Sequence, residues 1–230
     1  MRLISLVPAA FVLFISGPAF AQEWIEYVSR ADFFSVNFPA QPEVRDIKWE
    51  TEYGITLPGR MHIHQDARNR YSVSVIDYAN VEQIHAARLK DCKAYPNLCN
   101  NPFNGELRGA IDYAAWGLMK NAAKLTHYAY YNTDRVEGRR LQFTNPDKTQ
   151  TFAAVHMHQN RLYILEGTVA PGMPPPGLFQ QSLGFVDKDG RRIRYESTYS
   201  NMYPAPPLQR QNTPLSGYPT EEPLSGVTRP

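Results

Sequence analysis

Residues 125–169 read LTHYAYYNTDRVEGRRLQFTNPDKTQTFAAVHMHQNRLYILEGTV. Four runs rich in aromatic and β-branched residues stand out: Leu125–Tyr131, Val136–Thr144, Thr151–His158 and Arg161–Val169. Asn132-Thr133-Asp134, Asn145-Pro146-Asp147 and Gln159-Asn160 separate them. These separators are turn chemistry, because Asn and Asp tolerate left-handed backbone and bond back to their own chain. Strands joined by such short turns pair antiparallel. This stretch sets the fold class.

Upstream the same period recurs. In Phe33–Pro39 (FFSVNFP), Phe34, Val36 and Phe38 share one face and a proline ends the run. Thr56–His64 alternates with Leu57, Met61 and Ile63 inward, and after a polar turn Tyr71–Tyr78 follows as its hairpin partner. The period then changes. Asn80 and Gln83 open a helix with Val81, Ile84 and Ala87 on one face. Leu107, Ile111, Ala114, Leu118 and Ala122 mark a second, longer helix. Pro174–Pro176 stops the later strands, and a short helix follows that Phe179, Leu183 and Phe185 pack down; Asp189-Gly190 turns the chain into Arg191–Tyr199. The expected fold is α+β, an antiparallel sheet with helices grouped on one face.

The ends differ in kind from this middle. Met1–Ala21 has a basic start at Arg2, an apolar run from Leu3 to Ser16, a Gly17-Pro18 break, and Ala19 and Ala21 at an A-x-A cleavage site. The run is short of the ~20 apolar residues that span a bilayer, so Met1–Ala21 reads as a signal peptide. Gln22 would be the new first residue, with no cysteine there to accept lipid. A periplasmic or secreted, soluble protein is expected, with no integral membrane segment after cleavage. From residue 200 to 230 prolines accumulate and apolar clustering ends, which reads as a disordered tail. The domain between, 22–199, is a single unit. A net charge of +2 with scattered Lys and Arg gives no nucleic-acid footprint.

The strand FFSVNFPAQP, the strand YSVSVIDY, the helix segment DYAAWGLMKNAA and the ending NRLYILEGTV…FQQSLGFV together resemble a loose group of exported bacterial proteins. These carry an early F-x-V-x-FP-x-x-P strand and are similar in element order to the PsbP-like α/β/α sandwich. The resemblance covers about Asp32 to Val186. It implies a fold and a compartment, for small non-enzymatic modules, and brings no catalytic residue.

Chemistry is sparse. The chain has no G-x-S-x-G elbow, phosphate-cradling glycine loop, H-E-x-x-H or dinucleotide fingerprint. Cys92 and Cys99 are six residues apart in an exported chain, a spacing that suits a disulfide staple better than a redox pair. His62-Ile63-His64 and His156-Met157-His158 each place two imidazoles on one strand face, turned away from the apolar alternates. They read either as polar residues on a solvated face or as four ligands of a zinc or copper ion, with His127 or an aspartate as a further ligand. The metal reading requires the two strands to be neighbours or to face one pocket. Alternate tyrosines in His127–Tyr131 offer stacking surfaces or one buried face, and His85 is expected to be exposed. The leading expectation is a non-enzymatic binding module of the cell envelope, for an envelope protein or a small ligand, with no cofactor; metal binding is the alternative.

Overall fold

The computed structural model describes residues 24–90 and 102–201. Met1–Ala21, the Cys92–Cys99 pair and almost all of 200–230 lie outside them. The strands are β1 (Ile25–Ser29), β2 (Phe34–Phe38), β3 (Glu43–Glu50), β4 (Thr56–Gln65), β5 (Asn69–Asp77), β6 (Lys124–Thr133), β7 (Val136–Thr144), β8 (Gln150–His158), β9 (Arg161–Val169) and β10 (Gly184–Phe185). The helices are α1 (Val81–Lys90), α2 (Phe103–Met119) and α3 (Gly177–Gln181).

Seven strands form one antiparallel sheet in the order β3-β4-β5-β9-β8-β7-β6, and β1-β2-β10 form a second. The four runs of the opening stretch are its right half, in sequence order. Its turns sit where the chemistry allows. Gln159 and Asn160 (φ 47° and 56°) make a two-residue hairpin, and so do Asp134 and Arg135 (φ 48° and 67°). Positive φ at both central residues matches the right-handed twist of the flanking strands. The first turn therefore falls one to two residues later than Asn132–Asp134, and β6 extends to Thr133.

α2 lies on one face as expected, and the second sheet with α3 covers the other. Both faces of the large sheet are buried. On one side α2 packs over β7, β8 and β9, and Ile76, Leu141, Val155, Met157 and Leu162 meet its Ala110, Ile111, Ala114 and Ala115. On the other side Tyr71, Val73, Tyr163 and Leu165 meet Phe34, Val36 and Phe38 of β2, Phe179 of α3, and Phe185, Ile193, Tyr195 and Tyr199 beyond it. The consequence shows in β8, where every residue after Gln150 is buried. A strand covered on both sides loses the alternation that marks a half-buried one.

Sequence reading missed β1 and β3. EVRDIKWE in β3 is mostly charged and exposed, as suits an edge strand that must not recruit further strands. Arg191–Tyr199 forms no hairpin strand. It is tied by isolated bridges, Val186 to Arg192 and Val136 to Tyr199, and by its buried aromatic rings. Packing extends to Ser200, which is buried, and Asn201, whose side chain bonds to Asn160.

Gly138 of β7 pairs with His156 of β8. A Cβ there would lie 2.2 Å from the Val155 carbonyl oxygen and 2.5 Å from His156 Nδ1. Gly138→Ala is expected to cost about 2–4 kcal/mol by pushing the buried imidazole off its carbonyl partners. Urea denaturation reads this as a lowered midpoint; an unchanged midpoint would show that the sheet yields there freely.

Candidate functional site

The four paired histidines do not meet. His62 and His64 lie on β4, His156 and His158 on β8, with β5 and β9 between. Three strand spacings separate the pairs by ~14 Å. Ligands bonded at ~2.0–2.1 Å to one ion would have to converge far more closely. The expected common metal site is therefore not formed. His127, on β6, is two strands beyond β8. Among the described residues no group of three or more His, Cys, Asp or Glu could hold a metal ion.

Nor do the paired histidines stand on an open face, although His64 is only half-buried. They lie on the sheet face that β1-β2-β10 and the C-terminal segment cover, and His62, His156 and His158 are buried. Each has a structural partner. His156 Nδ1 donates to the carbonyls of Val136 and Glu137, both at 3.2 Å. His158 Nε2 lies 2.7 Å from the Tyr195 hydroxyl, and its Nδ1 has no partner. Burial pushes His156 down to about 4 and His158 down to about 3, so both rings are neutral at pH 7.

His62 joins the two sheets. Its Nε2 is 2.8 Å from Asp32 Oδ2, and its Nδ1 is 3.0 Å from the Tyr27 hydroxyl. A ring protonated on Nε2 satisfies both contacts. Burial opposes the Asp32 charge, but hydrogen bonds from His62 and Arg60 outweigh it and hold the carboxyl below its usual range. A Tyr–His–Asp chain has the outline of a nucleophile relay. Here burial, with Asp32, pushes the Tyr27 phenol up, whereas an activated nucleophile needs the opposite shift. The chain is a tether between layers.

The expected exposure of His85 is also corrected. It is 3% exposed, and its Nε2 donates to Glu106 Oε2 of α2, itself 1% exposed. Of the tyrosine run, Tyr128 and Tyr130 are exposed on edge strand β6, while Arg140 lies 4.8 Å over the Tyr131 ring. Tyr128 donates to Asp112 of α2.

The candidate site lies on the helix side of the sheet. α2 covers β7 to β9 and leaves β3, β4 and β5 partly open, and a groove of about 470 Å³ runs between. Met61, Ser74, Ile164 and Glu166 supply sheet residues; Ile47 and Trp49 come from β3, and Tyr113, Trp116 and Leu118 from α2. The groove exists because the helix-side residues of β5 are small here. Ser72 and Ser74 stand where the neighbouring row has Ile76, so the space is not filled.

The aromatic wall is held in place. Trp49 donates its indole N–H to Tyr78 Oη at 3.1 Å and meets Tyr113 edge-on at 6.2 Å between centroids. Trp116 is 56% exposed, and Lys120 Nζ sits 5.3 Å from its ring centre. Glu166 is paired in register with Ser72. Burial pushes its carboxyl up, and Arg70 only partly offsets this. Arg70 is turned to the Met61 sulfur at 3.7 Å, and no ion pair forms between the two. Ser72 Oγ is buried without a partner.

None of these residues was singled out from the sequence. Two signals were present: a lone carboxylate inside the apolar strand RLYILEGTV, and Gly117 beside Trp116 in the middle of a helix.

No protein-family model matches the chain, and no curated protein matches it. Among solved structures, the solution structure of cyanobacterial PsbP (CyanoP) from Synechocystis sp. PCC 6803 is similar. The identity is 11%, over 69% of this chain and 86% of that chain, with a TM-score of 0.35. A score that low carries no argument about function.

Proposed function

We propose that the chain is a non-enzymatic binding module of the cell envelope, addressed there by Met1–Ala21, with the groove between α2 and the β3–β5 wing as its seat for a small ligand. One observation carries this reading. The groove is walled by Trp49, Tyr113 and Trp116, and an unpaired carboxyl stands at Glu166 in an otherwise mostly apolar lining. Apolar concavities with a few polar groups are the usual form of small-ligand sites. Among the described residues, the relay-like chain Tyr27–His62–Asp32 has its phenol shifted away from reactivity.

Gly117 supplies the test. It lines the groove, and a Cβ there would meet nothing within 4 Å. Gly117→Leu fills space without a clash and removes a glycine worth roughly 0.8–1 kcal/mol of helix stability. The fluorescent apolar probe N-phenyl-1-naphthylamine is expected to bind the native chain and to lose at least tenfold in affinity to Gly117→Leu. The thermal midpoint should stay level or rise. Equal probe binding by the two proteins would remove the groove as the seat.

A further inference from the structure

Resting on that reading of the groove, we propose that its ligand class is a primary organic ammonium with an apolar body, bound head-first with the ammonium on Glu166. Three features select it. The first is the floor. Glu166 has no hydrogen-bond or ion-pair partner among the described residues; Arg70, whose charge it feels, donates to the Met61 sulfur instead. A carboxylate that lines a mostly apolar groove and meets no donor of the protein invites a donor from a ligand. An ammonium has three N–H donors and no acceptor, the complement of a carboxylate, which only accepts.

The second feature is the wall. Trp49, Tyr113 and Trp116 offer aromatic faces and edges to an apolar body, and aromatic faces attract cations on their way to the floor. The Lys120 nitrogen over the Trp116 ring is an instance from the chain itself. The third feature is the rim, where exposed Lys48 and Glu50 offset each other and that same Lys120 leaves a net positive charge. Its charge disfavours a cationic head left at the entrance and favours one carried past it to the carboxylate. An anionic amphiphile would meet the opposite pattern, with its head welcomed at Lys120 but its buried end against Glu166. Charge thus orients the ligand as well as choosing it.

Three isosteres test the claim by isothermal titration calorimetry on the full chain: 2-(1-naphthyl)ethylamine, 2-(1-naphthyl)ethanol and 1-naphthylacetic acid. The amine is expected to bind about tenfold tighter than the alcohol, as a charge-assisted hydrogen bond outweighs a neutral one. The acid should bind weakest. Glu166→Gln should erase the preference for the amine and leave the alcohol unchanged, while Gly117→Leu should weaken all three. Equal binding of amine and alcohol, or an amine preference that survives Glu166→Gln, overturns the ligand class while leaving the groove as a seat. The same holds if N-phenyl-1-naphthylamine binds and the amine does not. If neither that probe nor any naphthyl ligand binds, the reading of the groove itself fails.

Discussion

Between pH 7 and pH 5 the protein is expected to lose on the order of 4 kcal/mol of folding stability, chiefly through His156 and His158. Both rings are buried as neutral imidazoles, pushed down to about 4 and about 3. In the unfolded chain they titrate near the ordinary histidine value of ~6.5. Above that value neither state binds the proton, and the folded state keeps its full advantage. Below it the unfolded chain takes up protons that the folded chain refuses, so stability falls with pH until each folded value is passed. The loss is comparable to the whole stability of a small domain, roughly 5–15 kcal/mol, so acid unfolding should set in well above the range of ordinary carboxylates. Asp32 adds a loss of the same sign, but only as pH falls below its unfolded value of ~3.9. Urea midpoints at pH 7, 6 and 5 measure the slope. His158→Gln should lower the midpoint at pH 7 and flatten its decline. A native midpoint constant between pH 7 and 5 would contradict the burial of neutral rings.

The second large effect concerns His85 and Glu106, which tie α1 to α2 in a buried pair. Glu106→Ala leaves a buried imidazole without its partner and His85→Ala leaves a buried carboxylate; either is expected to cost about 3–5 kcal/mol. Glu106 Oε1 already lacks a partner, so the carboxylate has no second contact to fall back on. The double substitution His85→Phe with Glu106→Leu should cost less than the two single alanine changes together, because no polar atom is stranded. A double-mutant cycle with no coupling would show that the two side chains act independently.

Legibility followed physical locality. The strands Val136–Thr144 and Arg161–Val169 match observed strands residue for residue, because turn residues and β-rich runs act over a few neighbours. α2 was found from its apolar spacing, although it starts at Phe103, ahead of the first apolar marker. The edge strand β3 was invisible, since negative design at an edge demands charges that mimic a loop. The histidines were misplaced for a related reason. Ile63 and Met157 face a core, and a sheet with one core would have left His62 and His156 in water.

The sequence by itself determined the antiparallel strands of its middle, their turns and the second helix. Those rest on periodicity and on residue types acting within short stretches. The tertiary structure decided that both faces of the sheet are covered, and so that His62, His156 and His158 are buried, with the two H-x-H pairs three strand spacings apart. It also decided that small residues on β5 leave a groove beneath α2. Such features depend on which strands become neighbours and what covers them. Contacts between residues more than a hundred positions apart set these, as when Tyr163 donates to the backbone carbonyl of Asp32 at 2.9 Å.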